Sequence, residues 1–516
     1  MNTVRRSKLR GRVAVVAALA SALVLSACGG SGAGAPAASD KILTFGGSYA
    51  PNSLDSSKDF QNPVHEITNE AILHLEPDGT VTEGLATEWG YVGDGNRVFS
   101  FTLRDDAYFS DGTPVTGESA KIWLEYFAAA KGPYSGLMGP IDSIDVDGNT
   151  VTLNLGRPNP NVPRILSDSG LNWGGLVSPA AVQSDPAMLA TSTFGAGPYV
   201  YDPTQSVAGD TYTFVPNEHY YDPSKVNWDK IVVRIMTNPN TRLQSLQTGE
   251  VDAANGHYST TEAAKQIPGV DVQSFKLAQQ AFAIMDADGQ QVPALGDVRV
   301  RQALNYAVNR EAIAKAVYKG IATPSSELAS LDGYVLELED RYEFDQDKAK
   351  ELLAEAGYPD GFEMDVVSED FAGPDYGLVA QAVVENWEEI GIRVNIVPSN
   401  STTDYIANLK SAPVGQVAPQ FDRSMFSQYG TYFAPGGFAH PGSWTDPEID
   451  GQFLEGASAA DPNPYWEKIS ERATEEAYLV PIGNPIADVY ATGTVENVAV
   501  TEARSVPLLA EWRPGN

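Results

Sequence analysis

The first thirty residues constrain this 516-residue chain more than any other segment. Residues 1–12 carry five Arg or Lys side chains and no acidic one, and residues 13–24 are small or apolar apart from one serine. Such a run is too short to span a bilayer unaided, and its basic flank is typical of an export signal. No later run is apolar for long enough to predict a second membrane segment.

The only cysteine of the chain, Cys28, lies four residues after the end of that run. Residues 25–28 (LSAC) resemble a bacterial lipobox, which implies that residues 1–27 are a signal peptide and that Cys28 becomes a lipid anchor. Two or three acyl chains hold a protein stably on a membrane, whereas one chain does not. The alternative is an ordinary secretory signal with an incidental cysteine. Residues 28–40 are rich in Gly, Ala and Ser and predict a flexible tether.

The chain is strongly acidic. It has 34 Lys and Arg against 67 Asp and Glu, and removing the five basic residues of the signal changes the net charge from −33 to −38. An acidic surface repels phosphate backbones, so nucleic acids are unsuitable partners. The same charge weakly favours cationic or neutral solutes.

The length of the chain indicates several domains, and a lone cysteine excludes an intramolecular disulfide.

Strand-like and helix-like segments mix throughout the chain, which predicts an α/β fold of several domains with mixed sheets. Residues 41–45 read as a strand, and 141–155 read as a hairpin around Asp-Gly-Asn. Apolar residues at helical spacing predict helices over 62–75, 298–318 and 345–356.

Catalytic patterns are largely missing from the sequence. Residues 65–69 (HEITN) begin like a zinc-protease helix, but Asn69 stands where the second histidine would be. The five histidines are scattered, and there is neither a nucleophile elbow nor a phosphate-binding loop. We therefore expect no enzymatic activity, no metal site and no cofactor.

Seven short segments form an ordered series between residues 85 and 358. They are 85–89 (LATEW), 99–104 (FSFTLR), 108–116 (YFSDGTPVT), 195–199 (GAGPY), 248–252 (TGEVD), 297–310 (DVRVRQALNYAVNR) and 348–358 (KAKELLAEAGY). The series resembles the family 5 extracellular solute-binding proteins of ABC importers, which bind dipeptides, oligopeptides and nickel. Glycines and prolines in these motifs define turns, so the motifs indicate the fold rather than the solute.

The resemblance implies a two-lobed α/β fold of the periplasmic-binding-protein type (type II, cluster C) with an extra subdomain. We expect lobe one to combine residues 41–70, 192–285 and 487–516, the subdomain to span 71–191, and lobe two to span 286–486. The lobes would close by hinge motion on a solute, with a peptide as the first candidate. The resemblance also implies an exported, monomeric receptor that faces the outside or the periplasm and serves an ABC permease.

Ligand contacts in this family lie on particular loops, and aromatic and amide side chains on those loops suit a polar solute. The matching positions in this sequence are Tyr49, Tyr134, Asn255, His257, Tyr258, Tyr405, Ser427, Gln428, Tyr429 and Asn484.

One departure from the family pattern bears on the solute. Peptide binders carry a W-x-x-D-Y segment whose Asp pairs with the peptide amino group, and here Gln428 and Thr431 occupy the Trp and Asp positions. A buried cation needs a counter-charge. Either Asp422 substitutes, or the solute is an oligosaccharide, an opine or a metal chelate. A sensory or chaperone-like lipoprotein without a permease, and a secreted hydrolase, are the alternatives from other classes.

Overall fold

The computed structural model describes residues 41–276, 279–328, 331–370, 374–418, 423–440 and 444–515. All the described residues belong to one compact unit. The predicted signal peptide and tether, Cys28 and Asp422 lie outside the described residues. None of the helices in these ranges combines the length and apolar character that a membrane-spanning helix needs.

A seven-stranded mixed sheet forms the first lobe. The central strand Ile42–Gly47 confirms the prediction for residues 41–45, and it buries Leu43 and Phe45 on one face. In spatial order the strands are Val270–Lys276, Ile486–Thr492, Ala253–Asn255, Ile42–Gly47, Lys230–Ile235, Thr211–Pro216 and Tyr199–Tyr201.

A six-stranded mixed sheet forms the second lobe. Its strand Gln280–Ile284 pairs antiparallel with Leu479–Asn484 and with Val414–Val417. The expected boundary between residues 285 and 286 assigns this strand to the first lobe, and its hydrogen bonds correct that expectation. In spatial order the strands are Thr323–Pro324, Leu479–Asn484, Gln280–Ile284, Val414–Val417, Glu363–Ser368 and Arg393–Pro398.

A four-stranded antiparallel sheet forms the extra subdomain, and it contains the predicted hairpin around Asp147-Gly148-Asn149. The helix Gly117–Ala129 covers it and begins with a capping box between Thr116 and Ser119. In spatial order the strands are Ala86–Tyr91, Val98–Leu103, Thr150–Leu155 and Ile141–Asp147.

The predicted helix over residues 62–75 is only partly correct. The helix Pro63–Thr68 ends at Asn69, whose backbone is extended (φ −115°, ψ 113°). Leu73–Leu75 is then a strand that pairs with Val81–Glu83. Pairing with a segment further along the chain therefore overrides the local helical spacing. A second short antiparallel pair joins Val495–Glu496 to Arg513–Pro514.

The predicted single helix over 298–318 is two helices, Val298–Tyr306 and Arg310–Val317. The Asn309 side chain accepts a hydrogen bond from the Ala312 backbone N–H at 2.9 Å, so it caps the second helix and interrupts the first. The predicted helix over 345–356 is confirmed as Gln346–Glu355, with Asp345 as its N-cap.

The remaining helical segments connect and cover the sheets. The other α-helices are Val162–Ile165, Pro179–Ser184, Pro239–Gln247, Thr261–Ala264, Pro374–Glu388, Thr402–Leu409, Met425–Tyr432, Pro447–Ser458 and Asn463–Glu475. The 3-10 turns are Ser56–Lys58, Pro186–Ala190, Pro223–Lys225, Pro293–Gly296 and Leu336–Leu338.

Each of the three sheets has a hydrophobic core of its own. Phe45 packs edge-on to Trp512 in the first lobe, with ring centroids 5.8 Å apart. Phe282 meets Trp387 in the same way in the second lobe, at 5.5 Å. Trp123 donates from its indole N–H to the Trp173 carbonyl oxygen in the subdomain, at 3.1 Å. Separate cores allow the two lobes to move as bodies.

Candidate functional site

The chain crosses between the two large sheets at two neighbouring places. One crossing leads from the strand that ends at Lys276 to the strand that begins at Gln280. The other leads from the strand that ends at Asn484 to the strand that begins at Ile486. The ends of the two sheets that carry these residues therefore lie at the junction of the lobes, which is where we expect the solute cleft.

Asn255 ends a strand at the first-lobe edge of this cleft. Its Oδ1 accepts hydrogen bonds from the Ser48 backbone N–H at 3.1 Å and from the Ser48 hydroxyl at 3.3 Å. The Asn255 carbonyl oxygen accepts from Arg242 Nε at 2.7 Å. These bonds fix the loop after the first strand against the loop after Ala253–Asn255.

His257 and Tyr258 follow on that second loop. Their rings lie 4.2 Å apart, and His257 Nδ1 is 2.7 Å from the Ser259 hydroxyl. Burial, and then the charge of Arg242, lower the pKa of His257, so its imidazole is neutral at pH 7. The segment reaches the second lobe, because Lys319 Nζ donates to the Ser259 carbonyl oxygen at 3.2 Å.

Tyr49 and Tyr134 both form hydrogen bonds with the backbone of Gln61. Tyr49 Oη donates to the Gln61 carbonyl oxygen at 2.8 Å, and Tyr134 Oη accepts from the Gln61 N–H at 3.0 Å. Tyr49 is half exposed, although burial of its hydroxyl and the charge of Asp59 raise its pKa to about 12, as expected in the wall of a crevice. Tyr134 is only 1% exposed and packs in the subdomain core.

The second-lobe edge of the cleft carries buried amides. Gln280 and Asn484 are 1% and 2% exposed, and within the described ranges Gln280 Nε2 and Asn484 Oδ1 have no hydrogen-bond partner. Gln416 connects Gln280 to Glu369. Its Nε2 donates to Gln280 Oε1 at 3.1 Å, and its Oε1 accepts from the Glu369 N–H at 3.2 Å.

Glu369 follows the strand Glu363–Ser368 at the same edge. Its Oε2 is buried and lacks a hydrogen-bond partner among the described residues. Burial raises the pKa of Glu369 to about 8. Tyr405 lies close to it: the Tyr405 hydroxyl donates to the Gln416 carbonyl oxygen at 2.6 Å, and burial followed by the charge of Glu369 raises the pKa of Tyr405.

The other three predicted contacts lie on the helix Met425–Tyr432. Tyr429 stacks on Phe453 with ring centroids 3.6 Å apart, and its hydroxyl donates to Asp450 Oδ1 at 2.8 Å. Gln428 is buried, and Ser427 is partly buried. The structure thus places Asn484 at the end of a strand beside a crossing, whereas Tyr405, Tyr429 and Gln428 pack within the second lobe.

Contacts away from the crossings also join the lobes. Asn96 Nδ2, in the subdomain, donates to the carbonyl oxygens of Ala457 and Ala459 at 3.0 and 2.8 Å. Arg423 Nη2, in the second lobe, donates to the Glu502 carbonyl oxygen at 3.0 Å. The lobes are therefore also in contact away from the crossing strands.

A separate polar cavity of about 560 Å³ lies between the subdomain and the first lobe. His74 Nδ1 is 2.5 Å from Asp168 Oδ2, and His74 Nε2 is 3.4 Å from Glu511 Oε1. Burial alone would lower the pKa of His74, but the hydrogen bond to Asp168 and the nearby carboxylates raise it to about 9. The three side chains have the spacing to hold a metal ion, and a protonated His74 forms ion pairs with both carboxylates.

Sequence reasoning missed two features of these sites. Glu369 and Gln280 are brought together only by strand register, and His74, Asp168 and Glu511 are far apart in the chain. The one local signal was a carboxylate placed directly after a buried strand, at Glu369.

The comparisons with known proteins identify the family. A family model described as bacterial extracellular solute-binding proteins, family 5 Middle, matches residues 80–445. The chain belongs to this family.

The matches with individual relatives cover about two thirds of each relative's length or slightly less. Heme-binding protein A of Haemophilus influenzae is 26% identical over 68% of each chain. Glutathione-binding protein GsiB of Escherichia coli is 26% identical over 63% of each chain. The structure of HbpA2 from Haemophilus parasuis has a TM-score of 0.79 at 21% identity, over 92% of this chain and all of that one. These matches confirm the two-lobed fold.

Proposed function

We propose that the protein is an exported, lipid-anchored receptor that binds a small solute between its lobes and delivers it to an ABC permease. The observation that supports the proposal is the junction of the two lobes, where the polar side chains of Asn255, Gln280 and Asn484 lie at strand ends beside the two crossings. A solute that contacts both edges stabilises the closed state, because only contacts made in that state shift the hinge equilibrium. The receptor acts as a monomer and leaves its solute chemically unchanged.

A peptide is the first candidate for the solute. Similarity to a glutathione-binding relative supports it, since glutathione is a small peptide. The amide side chains of Asn255, Gln280 and Asn484 suit a peptide backbone, which offers donors and acceptors in alternation. An oligosaccharide, an opine or a metal chelate is the alternative, because Thr431 stands where peptide binders of the family carry an Asp.

The anchor is a separate part of the proposal. Acylation of Cys28 would hold the receptor at the outer face of the cell membrane, beside its permease. Cys28→Ala should release the protein into the soluble fraction while solute affinity stays unchanged. Continued membrane retention of this variant would reject the anchor and leave the solute-binding proposal standing.

The test of solute binding is a thermal-shift screen of the purified protein against peptides, oligosaccharides, opines and metal chelates. A solute at 100 times its dissociation constant should add about 2.7 kcal/mol to the free energy of unfolding. Mass spectrometry of the recovered solute decides between a receptor and a hydrolase, because a hydrolase would release products. Loss of solute uptake after deletion of a neighbouring permease gene would indicate a transport receptor rather than a sensory lipoprotein.

A further inference from the structure

We infer that the solute carries a protonated amine or a similarly compact cationic group, and that Glu369 binds it. Gln280 and Asn484 then bind the polar groups next to that cation. The inference rests on the proposed function, because it assigns the solute class that the cleft accepts.

Glu369 lies at the same sheet end as Gln280, since its backbone N–H donates to Gln416 Oε1 and Gln416 Nε2 donates to Gln280 Oε1. Asp375, six residues further on, lies close enough to Tyr258 of the first lobe for its charge to raise the pKa of that tyrosine, after burial. The carbonyl oxygen of Tyr376 accepts from Gln416 Nε2 at 2.9 Å, so the helix Pro374–Glu388 begins beside the same sheet edge as Gln280. Glu369 therefore stands beside the crossings, not on the outer surface of the lobe.

The carboxylate of Glu369 lacks the partners that a buried charge normally has. No basic side chain in the described part of the chain forms an ion pair with it, and its Oε2 is buried without a hydrogen-bond donor. A buried carboxylate without compensation costs several kcal/mol, which is why it stays protonated near neutral pH. A cationic partner removes that cost and adds a charge-assisted hydrogen bond.

The neighbouring groups favour a cation over a neutral or anionic solute. Tyr405 and Tyr432 lie near Glu369, and tyrosine ring faces attract a cation. Glu369 and Asp375 are both carboxyl groups, so neither offers an anionic solute a positive charge. Further along the edge, Gln280 Nε2 offers a donor and Asn484 Oδ1 an acceptor, which suits a cation that carries an amide or hydroxyl nearby.

The experiment compares cationic solutes with neutral counterparts by isothermal titration and native mass spectrometry. One half of the panel is a tripeptide library without Lys, Arg or His, together with spermidine. The other half is the same library N-acetylated, together with maltotriose. Wild type should bind members of the first half at least ten times more tightly than their counterparts.

Glu369→Gln should lose at least tenfold in affinity for those cationic members, and Glu369→Asp should recover part of it. Glu363→Gln is the matched control, because Glu363 begins the same strand and is 72% exposed. The thermal unfolding midpoint of each variant shows whether it folds.

The outcomes separate the two proposals. Equal affinity for acetylated peptides or maltotriose, or a folded Glu369→Gln that keeps wild-type affinity, overturns the role of Glu369 and leaves the receptor function intact. Failure of every member of the panel and of the broader solute screen overturns the receptor function, and the role of Glu369 with it.

Discussion

The Tyr258 ring of the first lobe meets the Tyr318 ring of the second lobe edge-on, with centroids 5.2 Å apart and an interplanar angle of 77°. Tyr318 is almost fully buried in the second-lobe core, whereas Tyr258 is partly exposed and packs against it. The pair is therefore a contact that exists only while the lobes are together.

Tyr258→Ala should weaken solute binding about 2- to 10-fold. An edge-on aromatic pair contributes about 0.5–1.5 kcal/mol beyond its buried area, and here that energy favours only the closed state. Titration calorimetry with a solute from the screen measures the loss. Tyr358→Ala is the control, since Tyr358 packs on Phe362 inside one lobe. An unchanged affinity for Tyr258→Ala would show that this contact does not depend on closure.

Asn96 provides a second test at the far side of the molecule. Asn96→Gly removes both hydrogen bonds to Ala457 and Ala459 and tolerates the positive φ of 51° at this position. The free protein should spend more time open, so small-angle scattering should give a larger radius of gyration. Asn154→Gly, whose bonds stay within the subdomain, is a control for the lost amide. Identical scattering curves for wild type and Asn96→Gly would contradict a role for Asn96 in holding the lobes together.

Glu369 makes the stability of the solute-free protein depend on pH. Its pKa is raised from 4.5 to about 8, so the folded chain keeps a proton that the unfolded chain releases between these values. The free energy of unfolding therefore falls as pH rises from about 4.5 to 8. The thermal unfolding midpoint of Glu369→Gln minus that of wild type should increase between pH 5 and pH 8.5. A difference that stays constant with pH would mean that Glu369 is ionised throughout.

His74 makes the stability of the protein depend on pH over a higher range. Its pKa is raised from 6.5 to about 9, so its ion pairs stabilise the fold fully below pH 6.5 and are lost as pH rises through 9. His74→Gln should unfold at a lower temperature than wild type at pH 6, and the gap should shrink by pH 9.5. His219→Gln, at a partly exposed site, serves as the control. A gap that does not change with pH would indicate that His74 is neutral in the folded protein.

Local patterns in the sequence predicted the elements whose stability is local. The strand near Leu43 and the hairpin around Gly148 follow from alternation and turn chemistry, and both form. The prediction of one long helix over 298–318 was wrong. Apolar residues keep helical spacing on both sides of Asn309, but the Asn309 side chain caps a new helix. Leu75 also followed helical spacing, but pairing with Val81 placed it in a strand.

The site was harder to predict because it depends on distant parts of the chain. Aromatic identity cannot distinguish a cleft wall from a core: Tyr49 is half exposed, whereas Tyr134 is buried. The ten ligand contacts stay predictions, although Asn255 and Asn484 do lie at strand ends beside the crossings. Glu369 and Gln280 meet through Gln416 across three strands, and no local pattern reports such a register.

The central claim is that the lobes close on an unaltered solute. The most direct measurement places fluorescent labels at Glu218→Cys and Glu363→Cys, at exposed positions on the two lobes, in a Cys28→Ala background. Titration with a solute from the screen should shift the energy-transfer distribution to one closed population, and mass spectrometry should recover the solute intact. A distribution that does not respond to a bound solute, or recovery of a cleaved product, would contradict the account.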